Sequence, residues 1–401
     1  ITNQLLQVFN VTIFGAMSGP GIFMSQFYGK RNKEGVENCF RIKLIIGIII
    51  ALLAIFLFYT FGQQLISLYL NDNPQDSLKT LNYGMDYLKI MLIGLIPFVI
   101  TQVYSSSLRE TGNTILPMIA SVVAVIVNFC INYILIFGHF GFPEMGIQGA
   151  AVGTLTARML ELLIIVVYIW KIDTKVRLFD INLFRTIFLP ENRKIWGAFF
   201  KVAFPIMCSG MIWAISVPMQ TAILGHLSAD AIAANSVSST FFQYLKVIVI
   251  AISSASAVVI GKDIGEGDIE RVKSDGRTLS MIDVLIGIVL ASLLFVLRGP
   301  LLSMYKLTDT AAVLANHFIM IMSVVMVGMS YQMPTNGGII RGSGSIAYSM
   351  KVDLISTWAI VIPLSMFMAF VVKASPAIVV CCLNADQIFK CVPAFLKCHY
   401  G

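Results

Sequence analysis

Charge is the scarcest property of this sequence. Only 12% of its 401 residues are Asp, Glu, Lys or Arg, whereas 57% are hydrophobic. A soluble domain carries about 25% charged residues. There are too few polar side chains here to cover a water-soluble globule, so lipid must cover much of the surface. The composition therefore predicts an integral membrane protein that is embedded in a lipid bilayer.

The sequence also lacks the clusters that metal and catalytic chemistry require. Its four His residues are scattered, and its seven Cys residues show no paired metal-ligand spacing. The GSGS stretch at 342–345 lacks the Lys and hydroxyl pair of a phosphate-binding loop. We therefore expect no enzyme, no bound metal and no cofactor. The net charge of +7 forms no basic domain outside the membrane, so a nucleic-acid partner is not expected.

Long apolar runs are what the sequence has instead. A helix needs about 20 apolar residues to cross the hydrocarbon of a bilayer. Eleven windows qualify: 5–27, 44–70, 84–104, 116–137, 147–170, 203–225, 233–260, 279–297, 312–333, 347–371 and 375–392. Helices satisfy their own backbone hydrogen bonds in lipid. The sequence therefore predicts an all-α polytopic membrane protein.

The basic residues indicate how the helices are oriented. Most of the 28 Lys and Arg fall in segments separated by even numbers of spans, chiefly 30–43, 171–201 and 262–277. Cytoplasmic loops of membrane proteins carry an excess of Lys and Arg. These segments are therefore placed on the cytoplasmic side of the cytoplasmic (inner) membrane.

One polar interruption occurs twice in the chain. The stretch GKRNKEGVEN at 29–38 aligns with GKDIGEGDIE at 261–270 when the sequence is shifted by 232 residues. At the same offset LRETGN at 108–113 aligns with IRGSGS at 340–345. Separate matches at one offset indicate an internal repeat. Both copies insert in the same direction, as in transporters whose two parallel repeats enclose the transport site.

The repeat predicts how the chain is divided. Residues 1–170 are assigned to an N-terminal lobe, 171–195 to a charged cytoplasmic linker and 196–401 to a C-terminal lobe. Residue 1 aligns with residue 233, so the first copy is one helix shorter than the second. We therefore expect two six-helix lobes, of which this chain carries helices 2–6 and helices 7–12.

Four stretches together resemble one transporter family. They are NFCINYILIFGHFGFPEMGIQGAAVGTLTAR at 128–158, LRETGNT at 108–114, GIIRGSG at 338–344 and STWAIVIPLSMFMAF at 356–370. The sequence resembles the multidrug and toxic compound extrusion (MATE) transporters. The resemblance implies a V-shaped pair of lobes that exports organic compounds in exchange for Na+ or H+. Trp213 and Ser345 stand where many or some members carry acidic residues, so the coupling ion stays open.

Two asparagines are the first candidates for binding the coupling ion. Asn128 and Asn132 are four residues apart and therefore lie on one helix face. Each offers a carbonyl oxygen, the kind of ligand that a hard cation prefers. The residues alone are equally compatible with hydrogen bonding between helices. The resemblance places both, together with Thr154, around a cation site in the N-terminal lobe.

Charged side chains inside the spans form a second group of candidates, because such residues are rare in membranes. Lys246 lies near the middle of its span, and Asp353 is its expected partner. Arg158 and Glu161 are three residues apart and are expected to neutralise each other. Each of the four has a purely structural alternative. Asp283, near the inner end of its helix, is expected to be solvated.

Five polar or amphipathic residues are predicted to line a substrate cavity: Tyr104, Trp213, Gln220, Gln332 and Asn336. The 20 Met and 27 Phe would let such a cavity adapt to varied ligands. The predicted function is a monomeric secondary antiporter that exports small organic compounds by alternating access. The alternative is a flippase for lipid-linked precursors, which a more strongly cationic cavity would favour.

Overall fold

The computed structural model describes residues 2–67, 74–171 and 193–400. Within these ranges the regular structure consists of helices, with no strand. The chain divides into two compact units, Ile1–Phe204 and Pro205–Gly401. Most of the predicted linker 171–195 lies outside the described residues, and the predicted lobe boundaries stay a prediction.

The first unit contains five long helices and the start of a sixth. They are α1 Thr2–Gly29, α2 Lys33–Ser67, α3 Pro74–Glu110, α4 Ile115–Phe137 and α5 Gly146–Lys171, followed by α6 Arg193–Gly225, which continues into the second unit. Helix α3 packs against α2 and α5, and α4 packs mainly against α5. The predicted cation residues therefore lie where α4 and α5 meet.

The second unit contains the remaining helices, several of them broken. They are α7 Ala229–Glu266, α8 Ile269–Ser303, α9 Asp309–Met333, α10 Ile346–Leu354, α11 Ile362–Met366, α12 Pro376–Leu383, α13 Asp386–Phe389 and α14 Cys391–Tyr400. Wider π-helical turns continue α9 at Pro334–Ile340 and flank α11 at Ile355–Val361 and Phe367–Val371. Helices α7, α8 and α9 pack against one another and carry the core of this unit.

Ten helical segments among the described residues are long and apolar enough to cross a bilayer. The remaining predicted window, 203–225, lies within α6. Large apolar side chains on the outer faces stay exposed, as Val125 and Phe129 of α4 do at 69% and 72%. Such faces need lipid to cover them. The prediction of an all-α polytopic membrane protein is confirmed.

The predicted window 375–392 falls almost entirely within one of these ten segments, Pro376–His399, but the helix there is interrupted. Helix α12 ends at Leu383 and α13 begins only at Asp386. The side chain of Asn384 donates a hydrogen bond to the Val380 carbonyl at 2.9 Å. Asn side chains that bond to nearby backbone groups compete with helix continuation. The chain therefore breaks at a point that apolar composition alone does not mark.

Two turns with the same geometry lie 232 residues apart. The backbone of Gly112 has φ +87° and that of Gly344 has φ +91°. The Gly112 amide donates to the Arg109 carbonyl at 3.1 Å, and the Gly344 amide donates to the Arg341 carbonyl at 2.9 Å. In both turns the next amide bonds to the carbonyl five residues before it. Each turn is a Schellman helix end, which favours glycine at this position.

Candidate functional site

Small residues bring α4 and α5 close together in the first unit. Gly149, Gly153 and Ala157 repeat every four residues along α5 and are buried. A Cβ on Gly149 would lie 2.9 Å from the backbone of Leu135 on α4. Small residues at this spacing let membrane helices approach closely. The polar side chains on the facing surfaces can therefore reach across the seam.

The structure brings the three predicted cation residues together in this seam. Asn132 Nδ2 donates to Asn128 Oδ1 at 3.2 Å, and Asn128 Nδ2 donates to Thr154 Oγ1 at 3.4 Å. The Thr154 hydroxyl donates in turn to the Ala150 carbonyl at 2.9 Å. This chain of hydrogen bonds ends at Asn132 Oδ1, which is buried and has no hydrogen-bond partner among the described residues.

Gly153 makes room for that oxygen. A Cβ at this position would lie 2.1 Å from Asn132 Oδ1, far inside van der Waals contact. The carbonyl oxygen of Asn132 therefore occupies the space that any other residue would fill. Because buried polar atoms are almost always satisfied, an orphaned oxygen at such a place points to a missing partner. A cation is a partner of the right kind.

Arg158 and Glu161 form no direct ion pair among the described residues, although the two charges interact electrostatically. Glu161 Oε1 instead accepts a hydrogen bond from Ser121 on α4 at 2.6 Å. The Arg158 guanidinium lies over the ring of Phe98 on α3, 4.4 Å from its centre. Both side chains reach neighbouring helices because α5 packs between α3 and α4. Glu161 thus adds a carboxylate to the α4–α5 seam.

One buried ion pair in the first unit was not predicted. Lys43 is fully buried and forms an ion pair with Glu110, and its Nζ donates to Ser106 at 3.1 Å. In the sequence Lys43 falls at the end of the polar stretch 30–43, whereas α2 begins at Lys33. Lys43 therefore lies well inside the helix. Two features of the sequence could have indicated this pair. Lys43 lies ten residues beyond the start of α2, and Glu110 is an acidic residue at the end of α3.

In the second unit, Asp353 is the centre of a charged network that sequence reasoning missed. Its Oδ2 lies 2.8 Å from Arg341 Nη2, and its Oδ1 lies 3.2 Å from Lys390 Nζ. The Ser209 hydroxyl donates to Asp353 at 3.0 Å. The predicted pairing of Asp353 with Lys246 is therefore wrong. The carboxylate pairs instead with Arg341, which directly follows the π-helix after α9, and with Lys390, which directly follows α13.

The same network extends to a predicted cavity residue. Lys390 also pairs with Asp386 at 3.1 Å. Gln387 donates to Asp386 at 2.7 Å, and Gln332 of α9 donates to Gln387 at 2.6 Å. Lys246 lies within the electrostatic field of Asp386 and Lys390. Asp353, Asp386, Arg341 and Lys390 thus form one connected network.

The five predicted cavity residues are divided between the two units, with Tyr104 in the first and the other four in the second. Tyr104 belongs to the first unit, where it is buried with its ring 5.0 Å from that of Phe40. In the second unit Gln220 is half-buried and Asn336 is buried, in the π-helix that follows α9. The side chain of Trp213 lies outside the described residues.

The family follows from a direct comparison. The sequence model of the MatE family matches residues 1–134 and 205–367, more than half of the chain. The chain belongs to the MatE family. As a MatE protein it is a membrane transporter and not an enzyme, and it spans the cytoplasmic membrane many times. This confirms the resemblance that the sequence motifs indicated.

Curated relatives cover most of the MatE chain. The probable multidrug resistance protein NorM of Thermotoga maritima is 24% identical over 92% of this chain and 76% of its own length. The multidrug resistance protein MdtK of Pectobacterium atrosepticum is 22% identical over 85% of this chain and 72% of its own length.

Solved structures of MATE transporters share the fold. An outward-facing multidrug resistance MATE transporter superposes with TM-score 0.84 at 18% identity, covering 98% of this chain and 86% of its own. The Vibrio cholerae transporter VcmN in its bent form gives TM-score 0.83 at 18% identity, covering 99% and 87%.

Proposed function

We propose that this MATE chain is a secondary active antiporter. It exports small organic compounds from the cytoplasm in exchange for Na+ or H+, by alternating access, as a monomer that needs no cofactor besides the transported cation. The names of its curated relatives as multidrug resistance proteins support this substrate class. The observation that carries the proposal is the orphaned oxygen of Asn132 in the α4–α5 seam.

Coupling requires that the cation bind two conformations with different affinity. The oxygens of Asn128, Asn132 and Thr154 lie on two helices, so a cation between them would draw α4 and α5 together. Loss of the cation leaves only the hydrogen bonds between these side chains. Cation binding therefore favours one packing of the seam over another, which is the differential interaction that antiport needs.

The charged network in the second unit serves a different role in this proposal. Asp353 and Asp386 alternate with Arg341 and Lys390, so each charge has an opposite neighbour. Such a network stabilises one arrangement of α9, α10 and α13. It thereby holds Gln332 at a fixed place, where it presents a polar group to substrate.

The test is drug resistance in a bacterial host that lacks its own exporters. We expect Asn132→Ala to abolish the resistance to ethidium that the wild-type chain confers, because it removes the open oxygen. Lys246→Ala is expected to have the same effect through the second unit. Cys130→Ala, on the exposed face of α4, is the matched control and should retain resistance. Full resistance of Asn132→Ala at normal membrane abundance would refute this role for the seam.

A further inference from the structure

Helix α8 carries a carboxylate in the face that packs against α9. The buried positions of this helix alternate spacings of four and three: Gly276, Ser280, Asp283, Gly287, Leu290 and Leu294. This spacing defines a single stripe along a helix. Asp283 stands in the middle of that stripe and is only 1% exposed. The expectation that it is solvated is therefore wrong.

Contacts on either side of Asp283 fix what it faces. A Cβ on Gly287 would lie 2.8 Å from the Ser330 side chain of α9, and one on Gly276 would lie 3.7 Å from Ile339 of the following π-helix. The two segments run antiparallel, so Asp283 lies between these contacts and faces the junction of α9 with the π-helix. Single π-helical turns are frequent at functional sites.

The carboxylate of Asp283 has no hydrogen-bond donor or basic partner in the described part of the interface between α8 and α9. Neither oxygen of Asp283 has a hydrogen-bond partner within the ranges that the structure describes. Two other buried polar atoms along the facing segment lack partners too: the hydroxyl oxygen of Ser330 and the amide oxygen of Asn336. An ionised carboxylate in such surroundings is costly, whereas a protonated one is neutral. The described conformation therefore fits the protonated form of Asp283.

Few titratable groups face this carboxyl from the elements packed around it. They are Tyr331 of α9 and Cys398 of α14, with Arg277 nearby on α8 itself. On α7, the acidic Asp263 is engaged by Arg271 at 3.6 Å. Among the described residues no basic side chain forms an ion pair with Asp283. Protonation is therefore the means by which this carboxylate can be neutralised.

We propose that Asp283 is a proton-binding site of the second unit and couples transport to H+. This inference rests on the proposed antiport and adds a proton site in the second unit to the cation site of the first. Asp283 lies six residues beyond Arg277, about 9 Å along the helix from the basic end of α8. Ser280 and Cys398, 3.8 Å apart, lie on the way from that end. A proton can therefore leave toward the side that carries the basic segments.

Protonation of Asp283 would control how α8 packs against α9. The neutral carboxyl is compatible with close contact between α8 and the junction of α9 with its π-helix. When Asp283 loses its proton, the charge favours entry of water and separation of these helices. The two protonation states thus favour two packings, which gives the proton the differential binding that coupling demands.

The experiment uses the full chain reconstituted in lipid vesicles, with ethidium as the transported probe and pH and Na+ gradients imposed separately. We expect a pH gradient to drive ethidium transport by the wild type. The rate for Asp283→Asn should be at least tenfold lower, and Asp283→Glu should retain part of the wild-type rate. The control Asp309→Asn, at the exposed start of α9, should match the wild type. Infrared spectra should show a protonated carboxylic-acid band that is missing in Asp283→Asn.

Three outcomes would overturn the inference. If Asp283→Asn transports ethidium at the wild-type rate under a pH gradient, Asp283 has no role in proton coupling. If the wild type transports ethidium under a Na+ gradient and not under a pH gradient, the coupling ion is Na+. An infrared spectrum that is unchanged in Asp283→Asn would show that the Asp283 carboxyl is ionised. If the wild type transports under neither gradient, the proposed antiport fails instead, and the infrared result still tests the proton site independently.

Discussion

At the scale of single residues, the α4–α5 seam depends on a glycine. Gly153 leaves space for Asn132 Oδ1, which would otherwise lie 2.1 Å from a Cβ. The oxygen comes from one helix and its space from another, so the seam is sensitive to changes on either side. Neither residue is charged, which keeps the cost of burying the site low in lipid.

We expect Gly153→Ala to displace the Asn132 side chain and to lower ethidium resistance at least tenfold. Overpacking of a close contact costs about 1–3 kcal/mol, so the protein should still fold. Resistance and membrane abundance, measured side by side, separate loss of function from loss of protein. Gly299→Ala is the control, because a Cβ there meets open space. Resistance equal to that of the wild type would contradict the geometry of the seam.

At the scale of helices, buried charges connect elements that lie far apart in the sequence. Lys43 joins α2 to the end of α3 through Glu110, and Asp353 joins α10 to α13 through Lys390. Removing one partner of a buried pair is strongly destabilising because it leaves an uncompensated charge. Breaking either pair should therefore disturb the packing of the helices that it joins.

We expect Glu110→Gln to destabilise the first unit by about 3–5 kcal/mol, because Lys43 would keep a buried charge without its partner. Thermal unfolding in detergent measures the loss. Asp86→Asn removes an exposed pair with Lys89 and should change stability by less than about 1 kcal/mol. Replacing Lys43 and Glu110 together with Met should recover part of the loss. A midpoint for Glu110→Gln equal to that for Asp86→Asn would argue against a stabilising pair.

At the scale of the whole molecule, the internal repeat survives as local geometry. The turns at Gly112 and Gly344 lie 232 residues apart and share backbone angles and hydrogen bonds. The left-handed glycine is a feature that both copies retain. A residue with a Cβ is strained in that conformation.

We expect Gly112→Ala and Gly344→Ala to reduce stability by similar amounts, about 1–2 kcal/mol each, because both would force alanine into a left-handed backbone. Unfolding of the two variants in the same detergent, compared with Gly299→Ala, measures this. A large loss for only one of them would mean that the two turns are not equivalent in the folded protein.

Sequence reasoning predicted the fold class and the composition of the α4–α5 seam, for different reasons. Apolar length alone identifies membrane helices, and residues four apart, as Asn128 and Asn132 are, must share a face. Reasoning failed where burial depends on another helix. Asp283 lies close in sequence to charged residues, yet α9 buries it. Glu110 is 67 residues from Lys43, so no local pattern could pair them.

The central claim is that an ion gradient alone drives export by this chain. The most direct measurement is ethidium transport by the purified wild-type protein in nucleotide-free vesicles, with Na+ and pH gradients imposed one at a time. We expect transport that stops when the driving gradient is collapsed by an ionophore. Transport that persists without any gradient, or that is absent under both, would contradict it.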